Sequence, residues 1–203
     1  ATASTTYDVA NSCRFNDGDS PYLSKTPGSD GNLQKWTVSV WVKKASNGSS
    51  LAIFGAKSGG DNTIAQFHSA DTLYWEEYQS ASDILRSNAL YRDPAAWYHL
   101  VFTWDTTNAT AGNRMRMYVN GVEVTSLAND TAPDEDMNSF WNSSSYAMNI
   151  GASDGGTNFD GYMAEFVFLD GTAATPTSFG EFNSDSPTIW QPINVSGLTF
   201  GTN

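Results

Sequence analysis

The chain is 203 residues long, with a formal net charge of −12 and a sequence pI near 4.2. Only 10 Lys and Arg stand against 22 Asp and Glu, which argues against nucleic acid and anionic membranes as partners, because phosphate surfaces are bound through Lys and Arg. The 13% aromatic content, with 17 glycines and 7 prolines dispersed along the chain, favours short strands punctuated by turns, and the length suits one all-β domain over 1–203 better than two.

Taken in chain order, Trp36 to Lys43 alternates, with Val38, Val40 and Val42 on one face and Thr37, Ser39 and Trp41 on the other. Leu51 to Ala56 is a short apolar strand ending at a Lys-Ser-Gly-Gly turn, and Thr63 to His68 with Thr72 to Tyr78 reads as a hairpin. Trp97 to Asp105 puts Tyr98, Leu100, Phe102 and Trp104 on one face. Met115 to Val119 runs into Asn120-Gly121, a strong hairpin signal, and Val122 to Thr125 returns from it. Tyr146 to Gly151 and Gly161 to Asp170 follow. The latter sets Tyr162, Ala164, Phe166 and Phe168 against Met163, Glu165, Val167 and Leu169, two apolar faces that predict a strand covered on both sides. The best helical candidate is a turn over Thr177 to Phe182. Long polar loops at 16–33, 57–62, 105–114, 126–145 and 152–160 are where function is expected to sit.

Cys13 is the single cysteine, which excludes an internal disulfide and a multi-thiolate zinc site. Beside apolar Phe15 it is expected to be a buried, inert thiol. No apolar run reaches membrane-span length, so no membrane insertion is expected. The opening Ala-Thr-Ala-Ser-Thr-Thr lacks Met and carries no charged-then-apolar leader, and the close at Gly201-Thr202-Asn203 interrupts a strand-and-turn pattern. The chain therefore reads as a piece of a longer protein.

Three segments, in order, resemble the laminin-G-like, pentraxin-like family: WTVSVWVKK from Trp36, AAWYHLVFTWD followed by RMYVNGVEV, and NIGASDGGTNFDGYMAEFVFLDG from Asn149. The resemblance implies a concanavalin A-like jelly-roll sandwich of two antiparallel sheets. A narrower set (NDGDSPY from Asn16, Arg92-Asp93-Pro94, Ser178 to Phe182, Trp190-Gln191-Pro192 and Gly201-Thr202-Asn203) resembles laminin-G-like domains in virion proteins of marine tailed bacteriophages. That implies a tail-fibre, appendage or capsid-decoration role at a virion surface. The partners would be a host-surface glycan or other virion subunits, with a homo-oligomer compatible with either.

The laminarinase relatives that the resemblance brings in use Glu-x-Asp-x-x-Glu on one strand, so that acid and nucleophile flank one glycosidic bond. That pattern is absent from the sequence. Glu76 and Glu77 would point to opposite faces of a strand, Asp134-Glu135-Asp136 sits in a Pro-containing loop, and His68 and His99 have no nucleophile or metal partner at useful spacing. The expectation is a non-catalytic module, with an uncharacterised glycan hydrolase as the remaining alternative. Sugar contacts are expected at Trp75, Glu76 and Tyr78 in one strand and at Trp141 and Asn142 in a polar loop, since flat aromatics stack on sugar C–H faces and Asn and Glu accept hydroxyl protons. The alternative is that Trp75 and Tyr78 pack in the core and Trp141 covers an edge. Calcium is the candidate cofactor, with Asp17 and Asp19 in one loop and Asp154 and Asp160 in another as hard oxygen ligands; solvated acidic loops are the alternative. Many family members read Gly-x-Ile-Asp-Glu in the closing strand, and here Ala164 replaces that Asp beside Glu165, which puts the familiar metal site in doubt.

Overall fold

The computed structural model describes residues 7–79, 81–153 and 156–202. In chain order the strands are β1 (Cys13–Phe15), β2 (Leu23–Lys25), β3 (Lys35–Lys44), β4 (Leu51–Ser58), β5 (Asp61–Phe67), β6 (Thr72–Tyr78), β7 (Ser82–Leu90) and β8 (Tyr98–Asp105). After these come β9 (Met115–Val119), β10 (Val122–Glu123), β11 (Leu127–Asp130), β12 (Met148–Ile150), β13 (Gly161–Asp170), β14 (Gly180–Phe182) and β15 (Trp190–Pro192). One six-stranded sheet runs β1-β13-β3-β8-β9-β10, a seven-stranded sheet runs β11-β7-β6-β5-β4-β12-β2, and β14 pairs with β15. The pairings are antiparallel, giving the all-β sandwich that the alternating segments predict.

The inner faces meet in an aromatic nucleus. Trp36 stacks on Trp104 at 6.1 Å and contacts Trp75 at 5.6 Å, and Phe54 meets Phe102 edge-on at 5.2 Å. Val38, Val40 and Val42 of β3 and Leu100, Phe102 and Trp104 of β8 fill the same core, as alternation requires.

The outer face of the six-stranded sheet is buried too. The segment after residue 171 folds back over it, and Ala174 and Phe179 pack on Val101, Val167 and Leu169. Thr37 Oγ1 donates to the Thr172 carbonyl at 2.7 Å, and Thr103 Oγ1 to the Ala174 carbonyl at 2.9 Å. His99 is the polar anchor of this arm. Trp190 Nε1–H donates to its Nδ1 at 2.9 Å, so Nε2 carries the proton and donates to Ser39 Oγ at 2.8 Å. The ring is stacked by Trp41 at 4.9 Å and by Trp190 at 5.9 Å. Gly121 in the Asn-Gly turn has φ +82°, and a Cβ there would lie 2.4 Å from the Trp190 ring; only glycine meets both demands.

Local expectations are revised in several places. In β13, Ala164 pairs with Trp41 and Val167 with Ser39, so Glu165 and Phe166 form a bulge, with Glu165 at φ +49°. The extra residue flips the alternation: Met163 shares the inner face with Phe166 and Phe168, and Val167 and Leu169 face the C-terminal arm. The turn near Thr177 is a 3-10 turn over Pro176–Ser178 that gives way to β14. Cys13 is exposed, not buried. It lies on the edge strand β1, where Phe15 is the residue that enters the core. The thiol of the folded protein is therefore expected to react with an aromatic disulfide reagent at the same order of rate as a free thiol. A reaction slowed to the unfolding rate would mark it as buried.

Candidate functional site

With one sheet capped by the C-terminal arm, the outer face of the seven-stranded sheet remains open and carries a concavity. Its central rungs follow from the pairing register. Arg86 lies beside Tyr74 and Tyr74 beside Gln66; Ile84 lies beside Glu76 and Glu76 beside Ile64; Tyr78, Asn62 and Lys57 form a third row. The residues between them, Ala65, Phe67, Trp75 and Leu85, point into the core. A groove of about 520 Å³ results. Ile64 and Ile84 form its floor, Tyr74, Glu76, Gln66 and Arg86 its polar surround, and Asn129 of β11 closes one side. Ser153 and Thr157 close the other side. Their loop comes down onto β4 because Gly55 has no side chain; a Cβ there would sit 3.3 Å from Ser153 Cα and 3.0 Å from the Thr63 carbonyl.

The polar groups of the groove are set by their neighbours. Arg86 Nε donates to Thr72 Oγ1 at 3.1 Å. Burial pushes the Tyr74 phenol well above its usual value, with the adjacent Glu76 carboxylate adding to the rise. The Ala70 amide donates to His68 Nδ1 at 3.2 Å, which leaves Nε2 as the ring N–H. Burial, and then the charge of Arg86, lower the His68 pKa, so this ring is neutral at pH 7. The groove thus offers an aromatic ring, hydroxyl acceptors and donors, and a guanidinium over an apolar floor, which is the chemistry that holds an amphipathic polyol.

The expected ligand contacts divide sharply. Glu76 lines the groove. Tyr78 shares its face one rung further along, outside the lining. Trp75 is fully buried and Trp141 is 1% exposed; both lie in the aromatic nucleus between the sheets, where no sugar reaches them, so the expectation of stacking is corrected for both. Asn142 is buried as well, with φ +73°, and its Nδ2 donates to Asp170 Oδ1 at 2.7 Å. The loop that carries Trp141 is drawn inward by Glu77. This fully buried carboxylate accepts from Thr63 Oγ1 at 2.6 Å, Ser139 Oγ at 3.0 Å and the Phe140 amide at 2.8 Å. Sequence reasoning missed Tyr74, Gln66 and Arg86. Alternation outward from a buried Trp75 would have given Tyr74, and recognising 82–90 as a strand would have given Arg86.

Among the described residues, the candidate calcium ligands do not assemble a cage. The two loops do meet, through Asn158 Nδ2 and Ser20 Oγ at 3.2 Å. Yet Asp17 and Asp19 sit on an exposed 3-10 turn, with Asp19 bound to Asn16 Nδ2 at 2.6 Å. Asp160 pairs with Arg14 at 3.0 Å, and Asp154 lies outside the described residues. Among the described residues, no group of three or more His, Cys, Asp or Glu converges. The described carboxylates supply fewer oxygens at one point than the six to eight that Ca²⁺ takes.

A second, mainly apolar concavity of about 350 Å³ lies by the C-terminal arm, between Trp41, Trp97, Ala164 and Pro192. It holds no charged side chain, and Trp97 is 38% exposed on its rim.

No curated protein matches the chain in sequence. Among solved structures, a heptameric SAP-like pentraxin from Limulus polyphemus superposes with a TM-score of 0.51 at 16% identity, covering 76% of this chain and 71% of that one. Domain 4 of AbnA, an extracellular arabinanase from Geobacillus stearothermophilus in complex with arabinotriose, gives 0.51 at 16% identity over 82% and 84%. Mouse laminin alpha1 domains LG4-5 give 0.53 at 14% identity over 85% of this chain and 45% of that one. These likenesses establish the jelly-roll fold. The sequence profile of the concanavalin A-like lectin/glucanases superfamily matches residues 17–177, most of the chain, and the chain belongs to that superfamily.

Proposed function

We propose that the chain is a non-catalytic glycan-binding module whose site is the groove on the outer face of the seven-stranded sheet. The observation that carries this reading is the groove itself: Tyr74, Glu76 and Gln66 stand around an isoleucine floor on a sheet face that the C-terminal arm leaves open. The arabinotriose complex of a structurally similar domain supports a carbohydrate as the ligand. A glycosidase needs two carboxyl groups about 5–9.5 Å apart, and Glu76 is the one carboxylate among the described residues lining the groove. Display at an extracellular virion surface, recognising a host glycan, is the finer part of the proposal and rests on the motif resemblance.

A glycan array probed with wild type and Tyr74→Ala tests the reading. Loss of the aromatic face is expected to weaken binding about 10-fold, from roughly 1–1.5 kcal/mol of contact, and chelating divalent ions is expected to change nothing. Release of reducing sugar from any bound glycan would overturn the non-catalytic reading, and binding unaffected by Tyr74→Ala would move the site elsewhere. A second reading, an assembly module, is favoured by the exposure of Leu23 (55%) beside Phe166 at the open edge of the sandwich. Sedimentation separates the two, because assembly through that edge predicts a concentration-dependent oligomer.

A further inference from the structure

We infer that the groove selects an anionic saccharide, one whose carboxylate or sulfate ester docks on Arg86; this deepens the glycan-binding reading and rests on it. Cations are scarce in this chain, 10 basic against 22 acidic residues, so cations gathered in one concavity stand out. Arg14, Lys35, Lys44, Arg92 and Arg114 form ion pairs. Lys25, Lys43, Lys57, Arg86 and Arg116 form none among the described residues, and of these Lys57 and Arg86 line this one groove.

Arg86 is also held in place. Its Nε is occupied by Thr72 Oγ1, which fixes the guanidinium plane and leaves the two terminal nitrogens without a protein acceptor among the described residues. An oxyanion approached end-on by that pair receives two parallel N–H bonds, the geometry that distinguishes Arg from a point charge. The half-buried setting shields the contact from water, so it is worth more than a surface pair. Glu76, on the neighbouring rung, does not oppose this role. A sugar bearing an anionic group still presents hydroxyls, and a carboxylate one rung away is the acceptor they need. His68, beside Arg86, is neutral with its Nε2–H free to donate. Lys57 stands roughly 20 Å from Arg86, three strands and four residues across the sheet, so a polymer with a repeating negative charge meets a cation at each end of the groove.

The test is calorimetric titration of trigalacturonate, a sulfated trisaccharide and neutral maltotriose into wild type, Arg86→Gln and Arg86→Lys. Wild type is expected to prefer one or both anionic ligands to the neutral one, with affinity falling as salt rises. Arg86→Gln is expected to weaken the anionic ligand about 10- to 100-fold, the value of a charge-assisted contact, and the neutral ligand far less, so that the preference for the anionic ligand collapses. Arg86→Lys keeps the charge without the paired donors and is expected to fall between the two. Comparison of the uronate and sulfate arms identifies which oxyanion is taken. Equal binding of neutral and anionic ligands, or no effect of Arg86→Gln, overturns the inference while leaving the glycan-binding reading intact. Failure of every glycan class to bind wild type overturns both.

Discussion

Replacing Trp75 with alanine is expected to destabilise the fold by about 3–5 kcal/mol, the usual cost of emptying a large buried aromatic site. For a chain of this size that lowers the melting temperature by roughly 10 °C. Trp75 is fully buried, lies 5.6 Å from Trp36 and 5.5 Å from Phe102, and also contacts Trp104. Its removal takes one wall from the aromatic nucleus on which both sheets rest. The neighbouring variant Tyr74→Ala should do the reverse, with a small effect on melting and a clear loss of glycan affinity. Thermal melts followed by circular dichroism, paired with affinities measured well below the transition, separate the two residues. A Trp75→Ala protein that melts like wild type yet loses binding would place Trp75 on the surface and invert the assignment of faces in β6.

That one-residue difference marks how far the sequence could be read. Alternation in β3 and β8 is unambiguous, because Val38-x-Val-x-Val42 and Leu100-x-Phe-x-Trp104 each offer one apolar face, and both strands appear in the register so implied. In β6 the sequence Leu73-Tyr74-Trp75-Glu76-Glu77-Tyr78 gives aromatic residues to both faces and carboxylates to both faces. What decides it is Glu77, whose carboxyl is fully buried and takes hydrogen bonds from Thr63, Ser139, the Phe140 amide and, at 3.0 Å, Gln79. Three of those donors, Thr63, Ser139 and the Phe140 amide, come from other segments of the chain, so no local pattern reveals that the second carboxylate is the buried one. Strand β7 was illegible for a different reason. Ser82–Leu90 alternates weakly, with Ile84 and Arg86 outward and Leu85 and Ser87 inward, and an edge-proximal strand with a polar face reads like a loop. Arg86 went unread with it. The bulge in β13 is likewise a tertiary feature: one inserted residue lets Met163 serve the inner core and Val167 and Leu169 the outer one.

The two faces of the sandwich have different fates for a reason that chain order makes plain. The superfamily match ends at residue 177, and Phe179, Trp190, Val195 and Leu198, which follow it, are the residues that close the outer face of the six-stranded sheet. The covering arm is fastened by His99, whereas the groove sheet is stiffened from within by Glu77. Each fastening places an ionisable group out of water, and the two respond to pH in opposite directions.

Stability is therefore expected to be nearly flat between pH 4.5 and 6.5 in wild type, with opposite slopes appearing when either group is replaced. Burial lowers the His99 pKa from 6.5 to about 3. As pH falls below 6.5 the unfolded chain gains a proton that the folded ring refuses, so stability declines until pH 3, by about 5 kcal/mol in total. Burial raises the Glu77 pKa from 4.5 to about 7, against the pull of its hydrogen bonds. As pH rises above 4.5 the unfolded chain releases a proton that the folded carboxyl keeps, so stability declines until pH 7, by about 3 kcal/mol. Over the shared window each contributes about 1.4 kcal/mol per pH unit with opposite sign, and the lowered pKa of His68 adds modestly on the His99 side. Glu77→Gln retains an oxygen for the Phe140 amide and Gln79 and presents its amide to hydroxyls that can turn to accept. It should unmask a rise of about 3 kcal/mol from pH 4.5 to 6.5. His99→Gln keeps an acceptor for Trp190 and a donor for Ser39, and should unmask a fall of similar size. Urea denaturation at half-unit pH intervals reads both slopes. Parallel curves for the two variants would show that neither group is held in the protonation state that its burial demands, and the fastening of the arm and of the Trp141 loop would then need other anchors.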